Sequence, residues 1–398
     1  MIIAGEPSGD LLAAELVRAL NAEWKNKPRG ASTPRFFGGG GPQMKAAGVE
    51  LILDLTQHAV VGLIEVIRNY RKFKRCFDQL MAAALHRRPD IIVCVDFSGF
   101  NRRFAHHLRW ELKVRGIEDW RPRIVQYVSP QVWASRPGRA RAMARDFDLV
   151  LAIFPFEEQW YAERVPGLRV EFIGHPMLDR HADRSRTTPV QPTEQSTSQK
   201  PAVASTSAVV LLLPGSRVGE LKRHLPVLME AWKRMHAAQP ETRAVMVLPN
   251  EILASLVGPS AQSANIPVQV GGLANALRQA TLAIASTGTV TMECAYFGVP
   301  TVAIYKTSWS TYQIGKRIIQ VNYLAMPNLL AKEALFPELI QDEATGPKIA
   351  HAGLELLRDA PRRQRIRERL KAVIATLGGP GASQRAAKAI ARLSLPLT

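Results

Sequence analysis

Short apolar, β-branched runs alternate with longer stretches of helical pattern along most of this chain, and this alternation limits the folds it can adopt. In the first half the runs are RFFGG near residue 35, IIVCVDF near 91, RIVQYV near 123, DLVLAIF near 148 and VEFIG near 170. In the second half they are AVVLLLPGSR near 208, RAVMVLPN near 243, LAIAST near 282 and PTVAIYK near 300. Strands separated by helices predict parallel sheets with helices on both faces, which is an α/β fold.

The alternation is interrupted once, in the middle of the chain. Between residues 183 and 207 the sequence RSRTTPVQPTEQSTSQKPAVASTS is rich in Ser, Thr, Pro and Gln and lacks an aliphatic period. We interpret it as a linker between two Rossmann-like domains. The predicted boundaries are 1–182 for the first domain, 183–207 for the linker and 208–375 for the second domain. A last helix within 376–398 is expected to pack back on the first domain.

The charge and the cysteine content limit the compartment, the metal content and the partners that we expect for this protein. The chain carries 52 Lys and Arg against 34 Asp and Glu, a net charge of +18, and its cysteines are Cys76, Cys94 and Cys294. Their spacing fits no zinc or disulfide pattern, so we expect a reducing compartment, no metal and no cofactor. The charge fits an anionic partner, a membrane surface or solubility alone, but no RNP-type motif, zinc finger or basic arm supports nucleic acid. Without a signal sequence or a long apolar stretch, the chain is predicted to be cytoplasmic.

Two polar corners follow strands of the predicted first domain. In GEPSGD, glycines would let a ligand approach the backbone, and Ser8 or Asp10 could cap the next helix. A plain strand-to-helix turn explains this pattern as well, although it does not explain Glu6. Ligands of parallel sheets bind at the carboxyl ends of strands, so we predict that Glu6, Ser8, Gly9 and Asp10 line a cleft between the domains. In DFSGFN, Asp96 suits a general base, or it caps the helix near Asn101; the residues alone leave both open.

Two more corners open helices of the predicted second domain. Gly215 and Ser216 in LPGSR would expose backbone N–H groups at a helix start, and Arg217 could grip a phosphate with two hydrogen bonds. This pattern predicts a diphosphate site. The last corner is ASTGTVTME, in which Thr287, Gly288 and Thr289 precede Glu293. That carboxylate could accept hydrogen bonds from ribose hydroxyls, or it could simply favour the positive end of its helix.

Many further motifs, in one order, point to a single family. They are AGEPSGD at 4–10, GGGGPQMKAAG at 38–48, VVGLIEVI at 60–67, YVSPQVWA at 127–134, FPFE at 154–157, FIGHPM at 172–177, LLPGSR at 212–217 and MPNLLA at 326–331. Together they closely resemble the lipid-A-disaccharide synthases, over nearly the whole chain except the linker. The resemblance implies a metal-independent, inverting glycosyltransferase of GT-B architecture. It would join UDP-2,3-diacylglucosamine to 2,3-diacylglucosamine 1-phosphate, releasing UDP and forming a β-1,6-linked disaccharide 1-phosphate.

The resemblance also assigns roles to residues. It implies that Asp96 deprotonates the acceptor 6-hydroxyl, with Glu6 important for activity. Arg217 and Asn328 fall on positions associated with activity or nucleotide-sugar binding. Ser129 and Gln131, in YVSPQVWA, are expected on the acceptor side. A following basic segment contains Arg136, Arg139 and Arg141, which could hold the acceptor phosphate or form a solvated helix start.

The chain departs from the family pattern at several positions. Ser98 and Gly99 stand where many members have proline and a second aspartate, and Ser135 replaces the usual tryptophan. These changes bear on acceptor contacts. The first strand is only MIIA, so we expect either a shortened start or a few residues lost upstream. A different UDP-sugar GT-B enzyme and a non-catalytic nucleotide- or lipid-binding relative therefore stay as rival hypotheses.

A basic, amphipathic segment suggests how an enzyme of acylated substrates would reach a bilayer. In VVGLIEVIRNYRKFKRCF, at 60–77, apolar residues recur at helical spacing beside cations. The residues expected to contact the membrane are Leu63, Ile67, Tyr70, Arg71, Lys72, Phe73 and Phe77. The alternative is a core helix with a solvated basic face. We predict peripheral binding to the anionic inner face of the cytoplasmic membrane of a Gram-negative-type bacterium, and a homodimer is a further, open expectation.

Overall fold

The computed structural model describes residues 1–25, 33–56, 70–186 and 207–393. Contacts between residues divide the chain into two units. Unit 1 comprises Met1–Pro189 together with Leu377–Thr398, and unit 2 comprises Val190–Thr376. Unit 1 is therefore built from two separate segments of the chain, with all of unit 2 between them in the sequence.

Within the described residues, unit 1 contains a sheet of seven parallel strands in the order β3-β2-β1-β4-β5-β6-β7. The strands are β1 (Ile2–Ala4), β2 (Phe37–Gly40), β3 (Glu50–Asp54), β4 (Ile91–Val95), β5 (Arg123–Tyr127), β6 (Leu149–Ala152) and β7 (Arg169–Phe172). The strand order reverses between β1 and β4, where Ala4 lies opposite Val95. Ligands of open parallel sheets bind beyond the carboxyl ends of strands at such a reversal.

Helices connect these strands. They are α1 (Pro7–Lys25), α2 (Pro42–Ala46), α3 (Tyr70–Arg87), α4 (Ser98–Val114), α5 (Val132–Ser135), α6 (Arg139–Asp146), α7 (Phe156–Ala162) and α8 (Met177–Arg186). Helix α8 continues to residue 186, so the first four residues of the predicted linker are helical. Residues 187–206 of that linker lie outside the described ranges. None of the helices in those ranges is both long and apolar enough to span a bilayer.

Unit 2 repeats the architecture with six parallel strands in its described part, in the order β10-β9-β8-β11-β12-β13. The strands are β8 (Val209–Leu213), β9 (Arg243–Leu248), β10 (Val268–Val270), β11 (Leu282–Ser286), β12 (Thr301–Tyr305) and β13 (Glu338–Ile340). The helices are α9 (Val218–Ala238), α10 (Glu251–Ser263), α11 (Leu273–Gln279), α12 (Thr289–Tyr296), α13 (Trp309–Ile318), α14 (Met326–Ala331), α15 (Gly346–Arg358) and α16 (Ala360–Ala375). Here the order reverses between β8 and β11.

The final helix, α17 (Ala382–Leu393), belongs to unit 1 and packs on α1. Helix α1 buries Ala13, Leu16, Val17 and Leu20, a spacing of three, four and seven residues that places them on one face. Several alanines of α17 and its Ile390 are buried in the same apolar cluster. Small side chains let the two helices approach closely, so the last segment completes the core on that side of the sheet.

Candidate active site

The two polar corners predicted for the first domain lie side by side in unit 1. A Cβ atom added at Gly5 would come within 2.2 Å of the Phe97 ring, and one added at Gly9 would lie 3.7 Å from the Cβ of Asp96. Neighbouring strands β1 and β4 bring these corners together, because both corners follow the carboxyl ends of their strands. Gly5 and Gly9, on either side of Glu6 in the chain, therefore lie beside Phe97 and Asp96.

The backbone at Asp96 has an uncommon conformation. Asp96 and Phe97 have φ angles of 46° and 40°, in the left-handed region that non-glycine residues seldom adopt. Such residues cost about 1–3 kcal/mol each, and they persist where the surroundings fix them. The Asp96 N–H donates to the carbonyl of Tyr127 over 2.6 Å. The Asp96 residue is exposed, although its backbone is firmly held.

Two buried amides hold the same corner, and sequence reasoning did not assign them this role. The side-chain amide of Asn101 donates to the carbonyls of Asp96, over 3.0 Å, and Val95, over 3.1 Å. The amide of Gln126 donates to the Asp96 carbonyl over 3.4 Å. Asn101 is fully buried and Gln126 is 1% exposed. A polar residue at an otherwise apolar position of a strand or helix was the only signal available for either.

Asp10 corrects one expectation. Its carboxylate is 2% exposed and accepts the backbone N–H groups of Gly41 and Gln43, each over 2.9 Å, and of Met44 over 3.0 Å. These groups belong to the start of α2, so Asp10 caps that helix from outside and neither caps α1 nor faces a substrate. Ser8 is exposed, Glu6 is half-buried and Gly9 is buried beside Asp96.

The YVSPQVWA segment divides into buried and exposed residues. Gln131 and Arg136 are exposed, as an acceptor-side role requires. Ser129 is 5% exposed, and its N–H donates to the Leu151 carbonyl over 2.8 Å. It therefore lies beneath the surface, where its hydroxyl faces Tyr161 over 3.5 Å.

Glu157, the last residue of FPFE, anchors this segment from below. It is fully buried and accepts the indole N–H of Trp133 and the backbone N–H of Phe154, both over 3.0 Å. Burial raises the pKa of Glu157 to about 7, against the opposing effect of these hydrogen bonds and one with Ser129. The sequence analysis included this residue in the FPFE motif but assigned it no role.

In unit 2, the corners after β8 and β11 are also neighbours, because Leu213 lies opposite Ala285. Gly215 has a φ of 124°, and a Cβ there would lie 2.6 Å from the Glu220 carboxylate. That carboxylate accepts the Ser216 N–H over 3.2 Å, and its other oxygen lies 3.6 Å from the Arg217 guanidinium. Ser216 and Arg217 are exposed, so a phosphate binding here would compete with Glu220.

The corner after β11 opens α12. Gly288 has a φ of 139°, which favours glycine, and it directly precedes the exposed Thr289. Its carbonyl accepts the Thr291 hydroxyl over 2.7 Å. Thr287 and Glu293 are half-buried. This arrangement exposes a helix start at the carboxyl edge of the sheet, beside Gly215.

A buried histidine, which the sequence analysis did not single out, connects the ends of two strands at this edge of the sheet. His224 lies on α9 with no exposed surface. Its Nδ1 lies 2.7 Å from the Pro214 carbonyl, and its Nε2 accepts the Lys306 N–H over 2.9 Å. Burial lowers its pKa, so the neutral ring donates at Nδ1 and accepts at Nε2. His224 thereby ties the LPGSR corner to the end of β12.

Asn328 differs from what the resemblance implied. It is fully buried, and its amide group donates to the Phe336 carbonyl and the Glu338 carboxylate, each over 2.8 Å. Its side-chain oxygen accepts the Phe336 N–H over 2.8 Å. Asn328 therefore orders the segment before β13, and its side chain is buried rather than presented to a ligand. Among the described residues, no group of three or more His, Cys, Asp or Glu side chains could hold a metal ion.

The amino-acid sequence of this chain is similar to those of one protein family. The family model described as "Lipid-A-disaccharide synthetase" matches residues 1–393. The lipid-A-disaccharide synthase of Trichlorobacter lovleyi is 35% identical over 97% of this chain and 95% of its own length. That of Geobacter sulfurreducens is 36% identical with the same coverage.

The chain belongs to the lipid-A-disaccharide synthase family. It is a glycosyltransferase of lipid A disaccharide synthesis, as the motifs predicted.

Solved structures of low identity share the GT-B fold of this lipid-A-disaccharide synthase family member. The UDP-GlcNAc 2-epimerase of Neisseria meningitidis, solved with UDP-GlcNAc, gives a TM-score of 0.63 at 11% identity, covering 98% of each chain. The glycosyltransferase of kitacinnamycin gives 0.56 at 19% identity, again covering 98% of each chain. The α/β prediction of two Rossmann-like sheets is confirmed.

The predicted membrane segment of this family member is only partly described. Leu63 and Ile67 lie outside the described residues, and for Tyr70 the structure gives the backbone alone. Arg71 and Lys72 are exposed and Phe73 is half-buried. Phe77 corrects the prediction, because its ring packs edge-on against Phe100 and Phe104, at 5.5 and 5.8 Å between centroids. At Phe77 the core alternative is therefore the right one, since the apolar side of α3 is used inside unit 1.

Proposed function

We propose that Asp96 is the general base of a transfer from UDP-2,3-diacylglucosamine to 2,3-diacylglucosamine 1-phosphate. One observation carries the assignment: an exposed aspartate lies at the strand-order reversal of unit 1, on a backbone fixed by buried amides. Asp96 accepts the proton of the acceptor 6-hydroxyl as that oxygen attacks C1 of the donor sugar. The bond from C1 to the β-phosphate oxygen breaks, its electron pair leaves with UDP, and the configuration at C1 inverts.

Unit 2 is proposed to bind the nucleotide sugar. Gly215, Ser216 and Arg217 surround one helix start and Thr287, Gly288 and Thr289 another, both on adjacent strands of one sheet edge. Helix N-termini and a guanidinium stabilise the charge that develops on a leaving diphosphate. Glu293, one turn inside α12, is proposed to accept hydrogen bonds from ribose hydroxyls. Asn328 and His224 act as positioning residues for this edge.

The test is an assay of purified protein with both substrates in detergent, following the disaccharide 1-phosphate by mass spectrometry. Asp96→Asn is compared with Asp78→Asn, an exposed aspartate of α3 paired with Lys74 over 3.1 Å. We expect product from the wild type and from Asp78→Asn, and a loss of about 10²–10⁴-fold in kcat for Asp96→Asn.

Other outcomes would change the assignment. Unchanged turnover by Asp96→Asn would move the base elsewhere, with Glu6→Gln as the next variant. Absence of product from the wild type, with UDP still bound, would indicate a different acceptor, to which Ser98, Gly99 and Ser135 would then be relevant.

Membrane association is proposed on chemical grounds. Both substrates carry acyl chains, and the chain has a net charge of +18, which favours an anionic leaflet. We propose peripheral binding at the inner face of the cytoplasmic membrane, with the exposed Arg71 and Lys72 among the contacts. Sedimentation with phosphatidylglycerol vesicles tests this proposal. If the double variant Arg71→Glu/Lys72→Glu binds the vesicles as the wild type does, these two residues are not part of the membrane-binding surface. A homodimer stays a prediction that sedimentation velocity decides.

A further inference from the structure

Four arginines from two helical segments lie close together at the edge of the Asp96 corner. Arg102 and Arg103 belong to the first turns of α4, Arg139 begins α6, and Arg136 lies between α5 and α6. Burial lowers the pKa of Arg139, and the positive charges of Arg102, Arg136 and Arg103 lower it further. These four residues are called the arginine cluster below. The sequence brought Arg136 and Arg139 to notice, but Arg102 and Arg103 come to them only through the packing of α4 on α6.

The arginine cluster lacks the acidic partners that nearby arginines have. On the same two helices, Arg109 pairs with Asp148 over 2.6 Å and Arg145 with Asp146 over 2.8 Å. No ion pair within the described part of the chain involves Arg102, Arg103, Arg136 or Arg139. Like charges in a partly desolvated place repel one another, and a bound anion relieves that repulsion.

Two arginines of the cluster line a small pocket close to the proposed base. Arg102 and Arg139 line it together with Ser98 and Gln126. Ser98 is the first residue of α4, which begins without a side-chain cap, and Gln126 holds the Asp96 carbonyl. An anion in this pocket would therefore meet guanidinium groups near the positive end of a helix, within a few residues of Asp96.

We propose that the arginine cluster binds the phosphate monoester of the sugar 1-phosphate acceptor. The proposal rests on the proposed function, because it names the site for one group of that acceptor. Guanidinium groups bind phosphate oxygens through paired hydrogen bonds, and several of them suit a dianion. The donor diphosphate is assigned to the helix starts of unit 2, so the remaining phosphate of the reaction is the one on the acceptor. A phospholipid headgroup offers the same chemistry, and the test separates the two.

Direct binding is measured first, with no donor sugar present. The probe is water-soluble glucosamine 1-phosphate, and glucosamine, which lacks the phosphate, is its matched control. We expect titration calorimetry to detect the phosphate-bearing sugar only. Arg102→Gln and Arg139→Gln should each weaken it by about 10-fold or more, while Arg102→Lys retains part of the affinity.

Lys113→Gln is the control variant. Lys113 lies near the end of α4, it is exposed, and it is not among the charges that shift the pKa of Arg139. We expect it to bind glucosamine 1-phosphate as the wild type does. Equal affinities for the wild type and all the cluster variants would overturn the proposal, as would the same loss in Lys113→Gln.

Stability and kinetics separate a binding role from a structural one. In phosphate-free buffer, Arg139→Gln should have a Tm equal to or above that of the wild type, because one repelling charge is gone. A clear fall in Tm with unchanged binding would overturn the proposal. In the transfer assay, Arg102→Gln should raise KM for the acceptor about 10-fold and leave KM for the UDP-sugar within about two-fold of the wild type.

The remaining outcomes distinguish the site from the reaction. Binding of glucosamine 1-phosphate through these arginines, without disaccharide formation, would support the site and refute the transfer. Disaccharide formation with an unchanged acceptor KM in Arg102→Gln would support the transfer and refute the site. The cluster variants could instead bind phosphatidylglycerol vesicles more weakly while their binding of glucosamine 1-phosphate is unchanged. The arginines would then bind a lipid headgroup, and the proposal would be overturned.

Discussion

Gly5 has no room for a side chain, because the Phe97 ring lies against its Cα. An added Cβ would come within 2.2 Å of that ring, so Gly5→Ala must displace Phe97 and the Asp96 backbone with it. We expect a loss of about 1–3 kcal/mol in stability and a lower kcat, measured by thermal unfolding and by the transfer assay.

Gly9→Ala is the control for stability. A Cβ there meets only ordinary contacts at 3.7 Å, and alanine favours a helix over glycine, so its Tm should be at least that of the wild type. Equal destabilisation by both substitutions would contradict the steric explanation.

Glu157 predicts a pH dependence of stability. Its native pKa, about 7, lies above the ordinary 4.5, so between these values the native state binds more protons than the unfolded chain. The resulting stability is complete below pH 4.5 and is lost as the pH rises through about 7, by roughly 3 kcal/mol at most.

Urea unfolding of the wild type and Glu157→Gln at pH 5 and 8 measures this effect. The glutamine cannot titrate, so the difference in stability between the two proteins should change with pH. Burial lowers the pKa of His175 to about 4, and this has the opposite effect. The stability that neutral His175 contributes to the protein is lost as the pH falls below 6.5. His175 is present in both proteins and cancels in the comparison. A pH-independent difference would show that Glu157 titrates normally.

Sequence patterns identified residues whose function depends on their immediate neighbours in the chain. Asp96 directly follows a buried strand and Gly215 lies in the turn before a helix, and both features are visible locally. Asn101 was missed although its partners are near in the chain, because its position in a helix does not reveal that its amide turns back to the strand end. Gln126 and His224 were missed because each has a partner far away in the chain, at Asp96 and at Lys306. The role of Asp10 was wrong for the same reason, since its three donors lie more than 30 residues away.

At the scale of elements, α3 contributes to the core of unit 1 as well as presenting cations. Phe77 contacts two phenylalanine rings and the His107 ring of α4, so Phe77→Ser should remove apolar contacts and lower stability by about 3 kcal/mol or more. Thermal unfolding, compared with Lys72→Ser at an exposed position of the same helix, measures the loss. A normal Tm combined with reduced vesicle binding would restore the membrane role of Phe77.

The strands show where hydrophobic patterns suffice. The central strands of both sheets are buried on both faces and read as continuous apolar runs, so they were predicted. The three strands that were missed, β3, β10 and β13, all lie at sheet edges. Their residues are mostly half-buried, and such short edge strands give too weak a signal to distinguish them from loops.

At the scale of the whole molecule, the proposal assigns the base to unit 1 and the nucleotide to unit 2. It therefore predicts how UDP changes the Tm of each variant. UDP at about 100 times its Kd should stabilise the protein by about 2.7 kcal/mol. Asp96→Asn should keep the resulting rise in Tm, because Asp96 belongs to unit 1. Arg217→Ala, in unit 2, should lose most of it. Differential scanning fluorimetry with and without UDP decides this, and equal shifts in both variants would argue against nucleotide binding by Arg217.

The contact between α1 and α17 also sets an order of events during synthesis. Helix α17 leaves the ribosome only after all of unit 2, roughly 200 residues later than α8 and so about 10–40 s later at usual rates of translation. Until then Leu16 and Leu20 of α1 lack the helix that covers them. Unit 2 can finish folding while the first segment of unit 1 still lacks α17. The unit that begins to be translated first is therefore the last to be completed.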